Sequence, residues 1–164
     1  MATISGAIVA LDQLTKIYIH THYRLGESRA IISQVFDITY VRNFGAAFGF
    51  FATLARNFRE PFFVLVPVIA LGVIIFIMRT TKDTQKVQIL GLSLIFGGAI
   101  GNYIDRLRFK YVIDFLDFHW RDIYHWPAFN IADSAIVTGV SILLLQMLLQ
   151  RSHIRPIIAK DSAS

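Results

Sequence analysis

Cysteine is absent from the 164-residue chain, and charged residues make up only 16% of it. Without cysteine, the chain has no disulfide scaffold, no thiolate metal site and no cysteine nucleophile. A soluble domain carries roughly 25% charged and 45–50% apolar residues, whereas 55% of this chain is hydrophobic. Because a small water-soluble domain needs polar residues to cover its surface, this composition predicts a membrane protein.

The basic excess of the chain does not indicate nucleic-acid binding. The net charge is +5, but the Lys and Arg residues are scattered among apolar segments, with no basic stripe and no nucleic-acid-binding motif. The histidines also lack the spacing of a metal-ligand set. They are His20, His22, His119, His125 and His153. We therefore expect no histidine metal site.

Four apolar segments are long enough to cross a bilayer as helices, which takes about 20 residues each. The first segment contains charges, but it lacks a basic start and an A-x-A cleavage pattern, so we expect a retained helix rather than a removed signal peptide. We predict one integral-membrane domain, residues 1–164, built as an all-α bundle of four transmembrane helices. These helices are expected at residues 1–23, 61–79, 87–106 and 127–150.

The loops between these segments differ in charge density. Residues 79–86 contain three basic residues in eight, and the tail after residue 150 is basic as well. Lys and Arg accumulate on the cytoplasmic side of a membrane. This pattern predicts that the short loop and both termini are cytoplasmic, and that the long loops, 24–60 and 107–126, lie on the opposite side.

The first long loop shows strand character. Residues 35–41 alternate apolar and polar side chains and are rich in β-branched and aromatic types. The stretch ends at Asn43 and Gly45, which indicate a turn. Aromatic residues cluster in both long loops and favour a membrane interface. We therefore predict ordered loops that lie close to the membrane surface.

Ionisable residues inside membrane helices are costly, so each is a functional candidate. Asp12 and Lys16 are four residues apart on one helix face and can form an ion pair. Asn102 and Arg106 have the same spacing at the end of the third helix, where Arg106 could also extend to the interface. The third helix also has a small-residue face that allows close helix packing. Its members are Gly97, Gly98 and Gly101.

Asp133 is expected about two turns into the fourth helix, if that helix begins near residue 127. At that depth we expect no helix-capping role, and a carboxylate facing lipid is prohibitively costly. The side chain should therefore face the bundle interior. Asn130 lies three residues earlier on the same face and could hydrogen-bond to nearby groups.

Asp114 is a second candidate, flanked by apolar residues just beyond the third helix. It could pair with Arg108 or Lys110 at the interface, or it could join Asp133 in a catalytic pair. Two adjacent carboxylates share a proton, so that one activates water while the other donates to a carbonyl oxygen. Spacing alone leaves alternatives open. They are Asp105, Asp117 and Asp122 as dyad members, and Lys16 with Ser93 or Ser134 as a nucleophile–base pair.

Five sequence blocks between residues 12 and 134 together resemble the bacterial lipoprotein signal peptidase family, also called signal peptidase II. In chain order, the blocks are Asp12-Gln-Leu-Thr-Lys16, Asn43-Phe-Gly-Ala-Ala-Phe48, Gly97-Gly-Ala-Ile-Gly-Asn-Tyr-Ile-Asp-Arg106, Val112-Ile-Asp-Phe115 and Phe129-Asn-Ile-Ala-Asp-Ser134. The resemblance implies four helices with cytoplasmic termini in the bacterial inner membrane, and a small extracytoplasmic β-cradle with a loop helix.

The resemblance also implies the chemistry of the site. The catalytic aspartate dyad of the family corresponds to Asp114 and Asp133, near the extracytoplasmic surface. The substrate-binding or supporting residues correspond to Asp12, Lys16, Asn43, Gly45, Asn102, Arg106 and Asn130. The substrate would be a diacylglyceryl-modified prolipoprotein, cleaved on the N-terminal side of its lipidated cysteine. Globomycin would inhibit the enzyme, membrane lipids would surround it, and we expect a monomer without metal or cofactor.

Two other classes of function share some of these features. A small transporter or channel could use Asp12, Lys16 and Asp133 as an ion path, although the chain lacks inverted repeats. A non-catalytic membrane protein could bind lipids or peptides without turnover. Cleavage of a lipidated precursor distinguishes the peptidase from both.

Overall fold

A computed structural model describes the chain over residues 2–45, 55–121 and 123–161. Four helices and four strands lie in these ranges. The helices are α1 (Ala2–His22), α2 (Arg56–Thr80), α3 (Lys86–Phe109) and α4 (Ile131–Asp161). The strands are β1 (Ser28–Ile32), β2 (Phe36–Asn43), β3 (Val112–Trp120) and β4 (Tyr124–His125).

Three of the helices in the described ranges are long and apolar enough to cross a membrane. They are Glu60–Thr80 of α2, Lys86–Phe109 of α3 and Ile131–Gln150 of α4. The predicted membrane character is therefore confirmed for these three. Helix α1 has a suitable length of 21 residues, but it is not among these three spans. A fourth crossing by α1 remains a prediction.

Helix α3 lies at the centre of the bundle and contacts α1, α2 and α4. Its glycines make these contacts close. A β-carbon at Gly98 would collide with the carbonyl of Ala132 in α4, and one at Gly101 would lie 2.5 Å from Oδ2 of Asp12 in α1. The predicted role of this glycine face in close helix packing is confirmed.

The two long loops combine into one antiparallel sheet with the strand order β1-β2-β3-β4. The strand predicted at residues 35–41 is confirmed as β2, whereas β3 and β4 were not predicted. The described loop segments, 24–45, 110–121 and 123–130, contain no helix. Residues 46–54 lie outside the described ranges, so the expected loop helix remains a prediction.

Two predicted helix starts are wrong. Helix α2 begins at Arg56 rather than at residue 61. The prediction missed its first turn because that turn is polar and the prediction relied on apolar content. Helix α4 begins at Ile131 rather than at residue 127. The chain before it is extended, because Phe129 and Leu116 form an isolated antiparallel β-bridge. Asp133 therefore lies in the first turn of α4, not two turns into it.

The sheet packs against the helix ends through a small apolar core. Ile19 near the end of α1, Tyr40 of β2, and Ile113 and Phe115 of β3 are all buried in this cluster. Their burial fixes the start of β3 against α1. Since Asp114 lies between two of these core residues, the same packing determines the position of its backbone.

Candidate active site

Asp114 lies on β3 and is almost completely buried, with 1% of its surface exposed. Its Oδ2 atom accepts a hydrogen bond from Nδ2 of Asn43 at 3.0 Å, and its Oδ1 atom accepts one from Nδ2 of Asn130 at 2.6 Å. Burial, reinforced by the nearby charge of Asp133, raises the pKa of the Asp114 carboxyl to about 7. The alternative pairing with Arg108 or Lys110 is not needed, because two amides already bind this carboxyl group.

Asp133 and Asn130 form a reciprocal pair at the start of α4. The backbone N–H of Asp133 donates to Oδ1 of Asn130 at 2.9 Å, and the backbone N–H of Asn130 donates to Oδ2 of Asp133 at 3.3 Å. This is a capping-box arrangement, in which two otherwise unpaired donors of a helix N-terminus are satisfied. The expectation that Asp133 has no capping role is therefore wrong, because the helix begins later than predicted.

Asn102 and Asn130 connect the two aspartates. Nδ2 of Asn102 donates to Oδ1 of Asp133 at 2.7 Å. Nδ2 of Asn130, besides its bond to Asp114, lies 3.2 Å from Oδ1 of Asn102. Side chains predicted from separate sequence blocks thus form one continuous hydrogen-bonded network around the two carboxyl groups.

Arg106 points towards this network rather than away from it. Its Nη1 atom donates to the carbonyl of Asn102 at 3.2 Å, and its Nη2 atom donates to the carbonyl of Gly45 at 3.4 Å. The backbone N–H of Gly45 in turn donates to Oδ1 of Asn43 at 2.9 Å. The predicted turn therefore orients the Asn43 amide so that its nitrogen faces Asp114.

A shallow pocket opens beside these residues, between α2, α3 and the loop after β2. Arg106 and Asn43 contribute polar atoms, and the Arg106 guanidinium lies 5.4 Å from the centre of the Phe63 ring. The full set of lining residues is Asn43, Phe44, Glu60, Phe63, Val64, Arg106, Lys110 and Tyr111. The pocket thus combines an aromatic wall with polar groups that contact the aspartate network.

The ion pair predicted between Asp12 and Lys16 is confirmed, with Nζ of Lys16 2.9 Å from Oδ2 of Asp12. Lys16 also contacts Asp105 at 3.1 Å and donates to Oδ1 of Asn102 at 2.9 Å. Sequence reasoning considered Asp105 only as a possible dyad member, whereas the structure places it against Lys16. The available signal was its position three residues after Asn102, on the same face of α3.

The remaining alternatives lie elsewhere or have other partners. Asp117 accepts a hydrogen bond from Thr39 on the sheet, and Asp122 lies outside the described residues. The hydroxyls of Ser93 and Ser134 donate to the helix carbonyls of Ile89 and Asn130, which argues against a serine–lysine pair. Within the described ranges, no group of three or more His, Asp or Glu side chains could bind a metal ion.

Comparison with known proteins agrees with this geometry. The family model described as signal peptidase (SPase) II, Peptidase_A8, matches residues 4–149. The chain belongs to the signal peptidase II family. It is 48% identical over 155 residues to a lipoprotein signal peptidase of Geobacter sulfurreducens, a match that covers 94% of each chain. A lipoprotein signal peptidase of Brevibacillus brevis is 44% identical, covering 89% of this chain and 93% of the relative.

The fold of this signal peptidase is also similar to a solved structure, a bacterial membrane enzyme determined by the in meso method at 2.3 Å. The two share 34% sequence identity with a TM-score of 0.81, and the match covers 93% of this chain and 89% of the other. The resemblance inferred from the five sequence blocks is therefore confirmed at the level of both sequence and fold.

Proposed function

We propose that this signal peptidase II is an aspartic endopeptidase with Asp114 and Asp133 as its catalytic dyad. As a member of its family, the chain cleaves the signal peptide from prolipoproteins. The observation that supports the aspartic mechanism is the shared asparagine, because Asn130 bonds to Asp114 through its side chain and to Asp133 through its backbone and its side chain.

The environments of the two carboxyl groups support different roles for them. The pKa of Asp114, raised to about 7 by burial and by the charge of Asp133, keeps this group mostly protonated below neutral pH. Asp133 lies at the N-terminus of α4, where a negative charge is favoured. We therefore assign the acid to Asp114 and the base to Asp133 in the resting enzyme.

Peptide hydrolysis follows from these roles. Asp133 removes a proton from water, and the resulting hydroxide attacks the scissile carbonyl carbon while Asp114 donates its proton to the carbonyl oxygen. The tetrahedral intermediate then collapses as Asp133 returns its proton to the leaving amine and Asp114 recovers its own. Because the two groups act together, the measured pKa values belong to the pair rather than to either residue.

The substrate we propose is a diacylglyceryl-modified prolipoprotein, cleaved on the N-terminal side of the lipidated cysteine. Its signal helix and acyl chains reside in the bilayer, so the enzyme needs a lipid-accessible path to the dyad. The pocket between α2 and α3 offers such a path, since Arg106 and Asn43 line it and also contact the site. Arg106 and Gly45 would bind or position the substrate there, and globomycin would compete for the site.

We further propose four membrane crossings, with α1 as the fourth and both termini in the cytoplasm. The sheet and the dyad lie at the same end of the bundle, where α1 and α3 end and α4 begins. This end would face away from the cytoplasm of the bacterial inner membrane. We expect the enzyme to act as a monomer surrounded by lipids.

A cleavage assay on a lipidated precursor tests the proposal. Asp114→Asn and Asp133→Asn should each reduce turnover about a thousandfold or more, and the double variant should cost little more than either one. Asp117→Asn is the matched control, because Asp117 is an acidic residue of the same strand β3 that contacts Thr39 instead of the dyad. Substantial activity in a folded, purified Asp114→Asn or Asp133→Asn variant would refute the aspartic mechanism.

A further inference from the structure

Each proposed catalytic aspartate is preceded by a residue whose backbone N–H is bound by a buried carboxylate. The N–H of Ala132, one residue before Asp133, donates to Oδ1 of Asp12 at 2.9 Å. The N–H of Ile113, one residue before Asp114, donates to Oδ2 of Asp105 at 3.0 Å. Two segments that are distant in the chain are thus attached to the bundle in the same way.

A single lysine joins these two carboxylates. Nζ of Lys16 lies 2.9 Å from Oδ2 of Asp12 and 3.1 Å from Oδ2 of Asp105, and all three side chains are at most 1% exposed. Nε2 of Gln13 lies within hydrogen-bonding distance of both carboxylates, 3.2 Å from Oδ2 of Asp12 and 3.0 Å from Oδ1 of Asp105. The two carboxylates are therefore bridged by two residues that lie about one turn apart on α1.

A buried ion cluster is weak evidence for a stabilising role, because removing charges from water costs about as much as their attraction returns. What this cluster does provide is geometry. Asp105 fixes the first residues of β3, Asp12 fixes the first turn of α4, and Lys16 relates the two.

We propose that Asp105 is a positioning residue that sets the place of Asp114 relative to Asp133 by binding the N–H of Ile113. Gln13 and Lys16 hold the Asp105 carboxylate at a fixed distance from its counterpart, Asp12. The proposal rests on the proposed function, since it requires that the two aspartates act as a catalytic pair. Asp105 does not contact the reacting atoms in this scheme, and it acts only through the backbone of β3.

Two substitutions at one position test the proposal. Asp105→Asn removes the charge but keeps an oxygen that can accept the Ile113 N–H, whereas Asp105→Ala removes both. A misplacement of a catalytic group by about 1 Å can cost about a hundredfold in rate. We therefore expect Asp105→Ala to lower kcat about a hundredfold with little change in KM, and Asp105→Asn to retain kcat within about tenfold of the unaltered enzyme.

The position of the backbone is measured in the same full-length proteins by amide hydrogen exchange, followed by NMR in micelles. In Asp105→Ala the Ile113 amide should lose protection, while the Ala132 amide, which is bound by Asp12, should keep it. In Asp105→Asn both amides should stay protected. Thermal unfolding of each variant and of the Asp117→Asn control measures any general loss of stability, and kcat is expressed per folded enzyme.

Several outcomes would overturn the proposal. Unchanged kcat in Asp105→Ala would do so, as would equal losses in the Asn and Ala variants, which would assign the effect to charge alone. If Asp105→Ala does not fold, the Asp105→Asn variant decides: a loss of kcat while the Ile113 amide stays protected would also overturn the proposal. Asp114→Asn is measured in parallel to separate the two proposals. An active Asp114→Asn enzyme would refute the catalytic dyad itself. If Asp114→Asn is inactive, the Asp105 results test the positioning role alone.

Discussion

Asn130 caps the helix that carries Asp133 and, with the same side chain, donates a 2.6 Å hydrogen bond to Asp114. The oxygen of its side-chain amide accepts a hydrogen bond from the backbone N–H of Asp133, and the nitrogen of the same amide donates to Asp114. One residue therefore couples the start of α4 to the middle of the site. This coupling explains why a residue outside the proposed dyad should affect turnover.

The two roles of Asn130 can be separated by substitution. Asn130→Ser keeps a good helix cap but shortens the side chain, so it should preserve thermal stability while turnover falls. Asn130→Ala should lose turnover and, in addition, about 1 kcal/mol of stability through the missing cap. Turnover on a lipidated precursor and thermal unfolding in detergent measure the two effects. Full turnover in Asn130→Ser would show that the contact with Asp114 is not needed.

The pH dependence of turnover should report the coupled dyad. Catalysis needs one protonated and one ionised carboxyl group, so kcat/KM should follow a bell-shaped curve. The pKa of Asp114, raised to about 7 by burial and by the charge of Asp133, places the alkaline limb near neutral pH, above which both groups ionise. Initial rates over the range from acid to mildly alkaline pH measure this curve. A rate that stays constant well above neutral pH would contradict the assigned acid.

Much of the architecture could be predicted from the sequence because it follows from local composition. The apolar runs of α2 and α3 exceed what a soluble helix of this size carries, and the alternation of residues 35–41 indicates β2 directly. The ion pair of Asp12 and Lys16 follows from helix geometry alone, since residues four apart share a face.

The start of α4 could not be predicted because it depends on a contact between distant residues. Pro127 is a favourable first helix residue, but the extended segment that follows forms a bridge from Phe129 to Leu116 of β3. The partners of Asp105 depend similarly on how α1 packs against α3. A sequence shows that Asp105 and Asn102 share a helix face, but not that Lys16 and Ile113 meet Asp105 there.

The proposed topology makes a direct prediction for a chain without cysteine. Asp83→Cys lies in the short basic loop between α2 and α3, and Arg121→Cys lies in the turn between β3 and β4. An impermeant thiol reagent added outside intact spheroplasts should label only Arg121→Cys, because the density of Lys and Arg predicts a cytoplasmic short loop. Labelling of Asp83→Cys from outside would reverse the orientation.

Asn43 should contribute to turnover through Asp114 and the turn at Gly45. Asn43→Ala removes the 3.0 Å hydrogen bond to Asp114 and the acceptor for the Gly45 N–H. We expect turnover to fall by roughly a hundredfold, the lower end of what the loss of one hydrogen-bond donor at a reacting group costs, while the helical bundle stays folded by circular dichroism. Asn43→Asp is a matched variant that keeps the acceptor for Gly45 but replaces the donor. Unchanged kinetics in Asn43→Ala would limit Asn43 to a structural role in the turn.

The raised pKa of Asp114 also predicts how stability depends on pH. Burial raises this pKa from 3.8 to about 7, so between these values the folded protein keeps a proton that the unfolded chain releases. Stability should therefore decrease as pH rises through this window and level off above it, as linkage requires. A three-unit shift corresponds to an upper limit of about 4 kcal/mol for this single group.

Replacing the titrating group removes this contribution. The Asp114→Asn variant cannot ionise at this position. The Tm of the variant minus the Tm of the unaltered enzyme should therefore be larger near pH 7.5 than near pH 4.5. In the unaltered enzyme, Asn43 and Asn130 each donate to one carboxyl oxygen of Asp114. The amide of Asp114→Asn has only one oxygen, so one of these two side chains must reorient, and this cost changes the Tm at both pH values. The difference between the two pH values is therefore the informative quantity. Asp117→Asn serves as the control, since it replaces a carboxyl on the same strand outside the dyad. A Tm difference for Asp114→Asn that is the same at both pH values would show that Asp114 is ionised throughout, and the acid role would have to pass to Asp133.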